Sequence, residues 1–340
     1  VLGVDHFEPA MKTWVYNHPN SIGCLGDIKN LDPYHVKELL KNRGIKKINL
    51  LTGGVPCQGF SIANRKHNDH DERNFLFMEY MKYVEVFVPD YIILENVSGM
   101  ASTAGGKFVN DILAYMSKLG YSASVQIVNS AEFGVPQIRK RLIFVGVKEN
   151  AGLTIPFSFP KGPFKSSSDY RTVWDAISDL PKLKNNEFAE DYSSSAKTEY
   201  QRLMRGEGNI DIPKPVMLFN HKAPKHPEET IQKIENTKPG EPMYPKFKQR
   251  IRLKYDQPSP TQLAGGIRPQ FQFGHPDQPR GLTIRERARI QSFPDYYVFK
   301  GGIVQERVQT GNAVPPLLIH GITKSIALDI KKRDEVNVNV

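Results

Sequence analysis

The chain has 340 residues with 46 Lys or Arg against 36 Asp or Glu, which gives a formal net charge of +10 at pH 7. This length allows one large α/β domain or a core domain with a smaller companion, and the 39% hydrophobic content excludes a disordered polyelectrolyte. The two cysteines exclude a disulfide scaffold and a cysteine-rich zinc site, so we expect no metal. The positive excess indicates an acidic partner, most commonly nucleic acid.

Short apolar segments alternate with amphipathic segments through the first 150 residues. The strand-like apolar segments are residues 47–51, 91–94, 122–128 and 141–147. Apolar residues recur at three and four positions, as in helices, in residues 74–87 and 107–119. Such alternation predicts an α/β fold, a doubly wound sheet covered by helices on both faces.

The character of the sequence changes after about residue 155. Pro, Ser, Lys and Asn dominate as far as residue 257, and helical periodicity returns at 285–292 and 316–330. We therefore predict that residues 1–155 and 258–340 form one core, and that residues 156–257 form a smaller, loop-rich domain.

A cysteine stands in a glycine-rich loop directly after the apolar segment 47–51. This loop, residues 53–61, reads GGVPCQGFS and places Pro56 before Cys57. Ligands of open α/β sheets bind at the carboxyl ends of strands, where an accessible thiolate could act as a nucleophile. The alternative is a buried structural cysteine. Cys24, which has no such loop around it, suits that alternative better.

A carboxyl group follows the next apolar segment. Glu95 comes directly after residues 91–94, so we expect it at the same sheet edge as Cys57. A carboxyl group beside a nucleophile could bind a ring nitrogen and hold or supply a proton there. A solvated residue at a strand end is the alternative.

A basic segment, QIRKR at residues 137–141, has a period of two. On an extended chain Gln137, Arg139 and Arg141 would share one face. The guanidinium groups of the two arginines could bind a phosphate or the carbonyl oxygen of a base, and would favour a nearby thiolate. A solvated basic strand edge is the alternative.

Together these segments resemble the cytosine-C5 DNA methyltransferase family. The matching motifs are VPCQ at 55–58, ENV at 95–97, QxRxR at 137–141, RERARIQSFPD at 285–295 and GNAVP at 311–315. They occur in the family's order and span nearly the whole chain. The resemblance implies a Rossmann-like methyltransferase sheet in the catalytic and cofactor-binding core, 1–155 with 258–340, and a target-recognition domain in 156–257.

The resemblance also implies the chemistry. A methyl group would pass from S-adenosylmethionine to C5 of a cytosine in duplex DNA, and the target base would be flipped out of the stack. Cys57 would add to C6 of the ring while Glu95 binds the N3 edge. Either Arg139 or Arg141 would position the flipped base and its phosphate.

Cofactor residues follow from the same resemblance. They are Asp5 at the ribose hydroxyls, His6 beside the adenine, Asp27 and Ile28 at the adenine edge, and Pro56 and Asn312 at the methionine end. The family's glycine-rich loop, which would cradle the methionine moiety, is absent upstream of Asp5. We therefore expect that the natural N-terminus lies before Val1, and that these residues alone bind the cofactor weakly.

The excess of basic residues is concentrated in the predicted target-recognition domain. Residues 214–254 carry ten Lys or Arg and only four Asp or Glu. Residues 246–254 read KFKQRIRLK, with a basic residue at every even position, which on a strand makes one cationic face. The predicted DNA contacts are Gln137, Lys246, Lys248, Arg250, Arg252 and Lys254. The alternative is a solvated basic edge strand.

Two other functions remain open at this stage. One is an RNA cytosine-C5 methyltransferase, and the other is a catalytically silent DNA-binding relative. The large basic domain favours duplex DNA as the partner, with the protein acting as a monomer on it. No apolar run reaches the roughly 18 residues that span a bilayer, and no secretion signal is visible. We therefore expect a cytoplasmic protein in a bacterium or a nuclear one in a eukaryote.

Overall fold

The computed structural model describes residues 2–55, 75–149, 156–207, 212–264 and 271–338. The strands in these ranges are β1 (Leu2–Asp5), β2 (Ile22–Leu25), β3 (Leu50–Gly53), β4 (Tyr91–Val97), β5 (Tyr121–Asn129) and β6 (Lys140–Lys148). The helices are α1 (Glu8–Asn17), α2 (Pro33–Asn42), α3 (Phe75–Phe87), α4 (Lys107–Lys118), α5 (Val173–Ile177), α6 (Glu199–Met204), α7 (Glu228–Asn236), α8 (Ile284–Ile290), α9 (Ile303–Asn312) and α10 (Pro316–Val338).

Each strand and helix that the sequence predicts, except the strand at residues 246–254, overlaps an observed one. The patterns did not predict β1 and β2, which have only four residues each, or helices α1, α2, α5, α6, α7 and α9. Gly311 and Asn312, the first two residues of the GNAVP motif, are the last residues of α9. Among the described residues, no helix combines the length and the hydrophobicity needed to cross a bilayer.

The main sheet is mixed, with the strand order β3-β4-β6-β5. Strand β3 runs parallel to β4, whereas β6 runs antiparallel to both β4 and β5. A separate parallel pair is formed by β1 and β2. Because β6 is antiparallel, it begins at the edge where β4 ends, and Arg141 pairs with Val97. The basic segment 137–141 is thereby delivered to the carboxyl end of β4.

Helices cover both faces of the sheet, as predicted. On one face Ile92 and Leu94 of β4 pack in the same cluster as Met81 of α3 and Met116 of α4. On the other face, the alternate residues of β4 pack with Leu318, Ile322 and Ile326 of α10. This alternation of side chains follows from the period of two in a strand and leaves β4 buried between two apolar layers.

Residues 156–257 are rich in loops, as expected, but part of this region shares a core with the C-terminal segment. Helices α5 and α6 contribute Ala176 and Tyr200 to one cluster, to which Ile290 of α8 also belongs. Arg289 of α8 forms buried ion pairs of 2.6 Å with both Asp179 and Asp295. The boundaries at residues 155 and 257 stay a prediction.

The strand expected at residues 246–254 is wrong. Turns and irregular backbone occupy this segment, and its only bridges within the described residues join Ile251 to Pro242 and Arg252 to Gly274. The basic side chains therefore do not share one face. A regular alternation of charge does not by itself make a strand, and here no neighbouring strand of the described residues pairs continuously with the segment.

Two of the five basic side chains in this segment point into the protein. Arg252 donates hydrogen bonds to the carbonyl oxygens of Ile234, Glu235, Thr237 and His275, and so binds the end of α7. Arg250 is buried, with its guanidinium carbon 4.5 Å from the ring centroid of Phe247. The expected phosphate contacts of these two arginines are therefore not supported by their positions. Lys246, Lys248 and Lys254 are exposed.

Candidate active site

The carboxyl ends of β3 and β4 and the start of β6 meet at one edge of the sheet. Gly53, the last residue of β3, pairs with Leu94, so Glu95 stands one position beyond that pair. The side-chain amide of Asn96 donates to the carbonyl oxygen of Val55 over 3.3 Å. A Cβ placed on Gly54 would lie 3.6 Å from Oε2 of Glu95. The chain that leads to Cys57 therefore passes directly beside the Glu95 carboxyl group.

Pro56 and Cys57 themselves lie outside the described residues. Their expected roles at the cofactor and at the base stay predictions. The predicted proximity to Glu95 is supported by the two residues that precede them, Gly54 and Val55, whose backbone lies against β4.

Glu95 forms a close ion pair with Arg141. The distance between Nε of Arg141 and Oε1 of Glu95 is 2.7 Å, and the two side chains are only 12% and 15% exposed. Burial raises the pKa of Glu95, although the charges of Arg141 and Arg139 oppose the rise. The result is a carboxyl group that is held in one orientation and keeps a proton to higher pH than a solvated glutamate does.

Arg139 has different partners from Arg141. Its guanidinium donates to the carbonyl oxygens of Gln262 over 3.0 Å and of Gly311 over 2.9 Å. Burial, with the neighbouring charge of Arg141, lowers the pKa of Arg139 to about 9. The sequence left open which arginine would lie at the base, and the structure places Arg141 at the carboxyl group. Arg139 instead donates its hydrogen bonds to backbone carbonyl groups.

Gln137 is fully buried and is not available to DNA in this structure, contrary to our expectation. Its amide donates to the side-chain oxygen of Gln291 over 2.5 Å, and its oxygen accepts from the backbone N–H of Gln262 over 3.0 Å. The predicted period of two is nevertheless correct. Ile138, between the two inward-facing residues, is 42% exposed.

The residues assigned to the adenosine part of the cofactor follow β1 and β2. Asp5 is the last residue of β1, and its carbonyl oxygen accepts from the N–H of Gly26, so the two strand ends lie side by side. One carboxylate oxygen of Asp5 accepts from the N–H of Phe7, and one of Asp27 accepts from that of Lys29. Within the described residues no hydrogen bond occupies the second oxygen of either carboxylate.

This arrangement fits a nucleoside. Exposed carboxylates at the ends of parallel strands can accept hydrogen bonds from ribose hydroxyls and from an exocyclic amine, and the exposed ring of His6 can cover a base. Ile28 begins the 3₁₀ turn that Asp27 caps. Asn312 is exposed at the end of α9.

The motif at residues 285–295 is mostly structural. Glu286 binds Arg280 at 2.7 Å, and although burial alone would raise its pKa, Arg280 holds the pKa of this carboxyl group well below its usual range. Arg285 donates to three backbone carbonyl oxygens. Sequence reasoning missed Gln262 and Gln291, whose contacts join this motif to the site. Gln291 lies inside a quoted motif, but nothing in its local pattern indicated its role.

The relatives of this chain are methyltransferases. Residues 1–328 match the family model described as C-5 cytosine-specific DNA methylase. The Type II methyltransferase M.DdeI of Desulfomicrobium norvegicum is 32% identical, and the alignment covers 96% of this chain and 83% of the relative. The Type II methyltransferase M.AgeI of Thalassovita gelatinovora is 31% identical, with 96% and 93% covered.

Two solved structures of methyltransferases share this fold. A protein of an E. coli prophage, described as a DNA modification methyltransferase, has a TM-score of 0.76 at 25% identity and covers 96% of this chain and 91% of its own. The S. pombe Dnmt2 methyltransferase has a TM-score of 0.60 at 16% identity, with 97% and 90% covered, and shows the shared fold.

The sheet edge, the buried carboxyl–guanidinium pair and the nucleoside-compatible strand ends therefore occur in a chain whose relatives transfer methyl groups. The chain belongs to the C-5 cytosine-specific DNA methylase family, and it is a DNA cytosine-5 methyltransferase that uses S-adenosylmethionine as its methyl donor.

Proposed function

We propose that the protein methylates a flipped-out cytosine of duplex DNA through a covalent bond between Cys57 and ring atom C6, acting as a monomer on the DNA. The observation that carries the proposal is the buried pair of Glu95 and Arg141 beside the chain that leads to Cys57. A nucleophile, an acid and a cation within one pocket suit addition to an electron-poor ring.

Cytosine C5 is a weak nucleophile until C6 has been attacked. A proton or a hydrogen bond from Glu95 to N3 draws electrons from the ring and makes C6 more electrophilic, and the raised pKa of this carboxyl group favours the protonated form that the step needs. The Cys57 thiolate then forms the bond to C6. Loss of the C5 proton after methylation restores the double bond and expels Cys57.

Arg141 orients Glu95 and offers further donors. Its Nε binds the carboxyl group and its Nη1 donates to the carbonyl oxygen of Lys140, while no hydrogen bond to the described residues occupies Nη2. That donor suits the carbonyl oxygen or the phosphate of the flipped nucleotide. Because the pair is buried, a base still stacked in a duplex could not reach it, which supports base flipping.

The cofactor, when bound, supplies an electrophilic methyl group on its sulfonium. Two residues would hold its ribose and adenine, Asp5 through the ribose hydroxyls and His6 across the ring. Asp27 and Ile28 would contact the adenine edge. Pro56 and Asn312 would line the methionine end, close to the base.

We also propose that exposed lysines of residues 246–254 follow the DNA backbone. The double variant Lys246→Glu/Lys248→Glu should weaken binding to any duplex and reduce the slope of log K against log salt by about two, because each lost phosphate contact removes roughly one released counterion. Fluorescence anisotropy over a range of salt concentrations measures both quantities. Lys41→Glu/Lys118→Glu, on exposed positions of α2 and α4, makes the same charge change elsewhere and should alter the slope less. Equal slopes in the two double variants would contradict this assignment.

The function itself is tested by offering labelled S-adenosylmethionine with unmethylated nucleic acid of mixed sequence. We expect label in 5-methylcytosine from duplex DNA, and little from single-stranded DNA or RNA of the same sequence. Preferential labelling of RNA would instead support an RNA methyltransferase. Binding of duplex and cofactor without any transfer would support a catalytically silent relative.

A further inference from the structure

Asn312 lies between two backbone carbonyl groups that buried side chains hold in place. Nη2 of Arg139 donates to the carbonyl oxygen of Gly311 over 2.9 Å. The side-chain amide of Gln291 donates to the carbonyl oxygen of Ala313 over 2.6 Å, and Gln291 itself accepts from Gln137 over 2.5 Å. The backbone on both sides of Asn312 is thus connected to the segment 137–141.

Gln137 and Arg139 also hold Gln262, which lies in the segment that returns from residues 156–257. The oxygen of Gln137 accepts from the N–H of Gln262, and Nη1 of Arg139 donates to its carbonyl oxygen, both over 3.0 Å. Close by, the N–H of Ile138 donates to the carbonyl oxygen of Ser259 over 2.8 Å. Both backbone polar groups of Gln262 are therefore bonded to one extended segment.

The returning segment also contacts the residue before Asn312 directly. A Cβ on Gly311 would lie 2.3 Å from the carbonyl oxygen of Leu263 and 2.4 Å from the backbone of Ala264. Only glycine fits this close approach between two backbones. A displacement of residues 262–264 therefore acts on Gly311 without any intervening side chain.

The third inward-facing residue of the segment, Arg141, holds Glu95. Gln137 and Arg139 are 0% and 2% exposed, so their hydrogen bonds are made away from water. Because buried polar groups are costly to leave unpaired, the parts that these residues join move together. Those parts are the Glu95 pair, the backbone around Asn312 and the segment at Gln262.

We propose that Gln137 and Arg139 are positioning residues that couple DNA binding to cofactor binding. DNA that contacts residues 262–264 displaces the backbone at Gly311 and so raises affinity for the cofactor at Asn312, and by linkage the cofactor raises affinity for DNA to the same extent. This inference rests on the proposed function for the roles of Asn312, Glu95 and Arg141.

A thermodynamic cycle tests the coupling. The affinity of the full chain for S-adenosylhomocysteine is measured with and without a duplex that the wild type methylates. In the wild type we expect the duplex to tighten binding by about five-fold or more. Arg139→Lys keeps a positive charge but cannot reach both carbonyl oxygens, so its coupling factor should fall clearly below that of the wild type, although the contact between Leu263 and Gly311 remains. Gln291→Met removes the bonds to Gln137 and to Ala313 but leaves Arg139 bonded to Gly311 and Gln262, so it should reduce the factor by less.

The matched control is Arg285→Lys. Arg285 is equally buried and donates to the carbonyl oxygens of Phe219, Pro294 and Tyr297, none of which belongs to the coupled parts. This variant should lose stability, measured as Tm, and keep the wild-type coupling factor. Wild-type coupling in Arg139→Lys and Gln291→Met, or a factor of one in a wild type that methylates DNA, would overturn the inference and leave the proposed function standing. A wild type that does not methylate DNA would overturn the proposed function itself.

Discussion

Replacing Cys57 with alanine should lower the single-turnover rate of methyl transfer by about 10⁴-fold or more, since removal of an attacking nucleophile has effects of that order in other covalent enzymes. Without the thiolate, cytosine C5 is not activated, whatever the positions of Glu95 and the methyl donor. DNA and cofactor binding should change little, because the substitution removes only one side-chain atom. The measurement is a rapid-quench assay with enzyme in excess over labelled duplex.

A covalent trap makes this prediction specific to the bond that forms. A duplex with 5-fluorocytosine at the target position cannot lose a C5 proton after methylation, so the adduct with Cys57 should persist and migrate as a denaturation-resistant complex. Cys24→Ala is the control, because this half-buried cysteine lies on β2 and burial raises the pKa of its thiol. We expect the adduct with Cys24→Ala and none with Cys57→Ala. An adduct that survives the Cys57 substitution would disprove the assignment of the nucleophile.

The second large effect is expected for Glu95→Gln, which should slow methyl transfer by about 10² to 10⁴-fold. The amide is nearly isosteric but cannot supply a proton to N3. The substitution also removes the negative charge that pairs with the guanidinium of Arg141. Binding of an anionic phosphate near Arg141 should therefore be impaired less than the rate of methyl transfer. The single-turnover rate with saturating duplex and cofactor reports the chemical step separately from binding.

The pH dependence identifies the role of the carboxyl group. Burial raises the pKa of Glu95, so the protonated form persists further toward neutral pH than in a solvated glutamate. If transfer needs that form, the rate falls as pH rises through the pKa, and Glu95→Gln should lose this limb of the profile. Glu85→Gln, at an exposed carboxylate of α3, should keep both the rate and the limb. A limb that is identical in wild type and Glu95→Gln would assign the titration to another group.

The α/β fold and the residues of the sheet edge could be predicted from local patterns. A short apolar strand followed by a polar residue places that residue at the strand's carboxyl end, which is why the sequence predicts Glu95 at the same sheet edge as Cys57. The position of Gly54 and Val55 beside β4 supports that prediction. The period of two in residues 137–141 correctly gave the common face of Gln137, Arg139 and Arg141. These inferences need only the geometry of one strand and its following loop.

The tertiary structure decided what the basic side chains do. Arg139 and Arg252 have the same donors as a phosphate-binding arginine, but each finds backbone carbonyl oxygens inside the protein, for Arg139 from residues 123 and 172 positions away. Arg141, two residues from Arg139, instead binds Glu95. A guanidinium group binds carboxylate, phosphate and carbonyl oxygen alike. Its partner is therefore set by which distant segment the fold brings within reach, and local sequence carries no record of that choice.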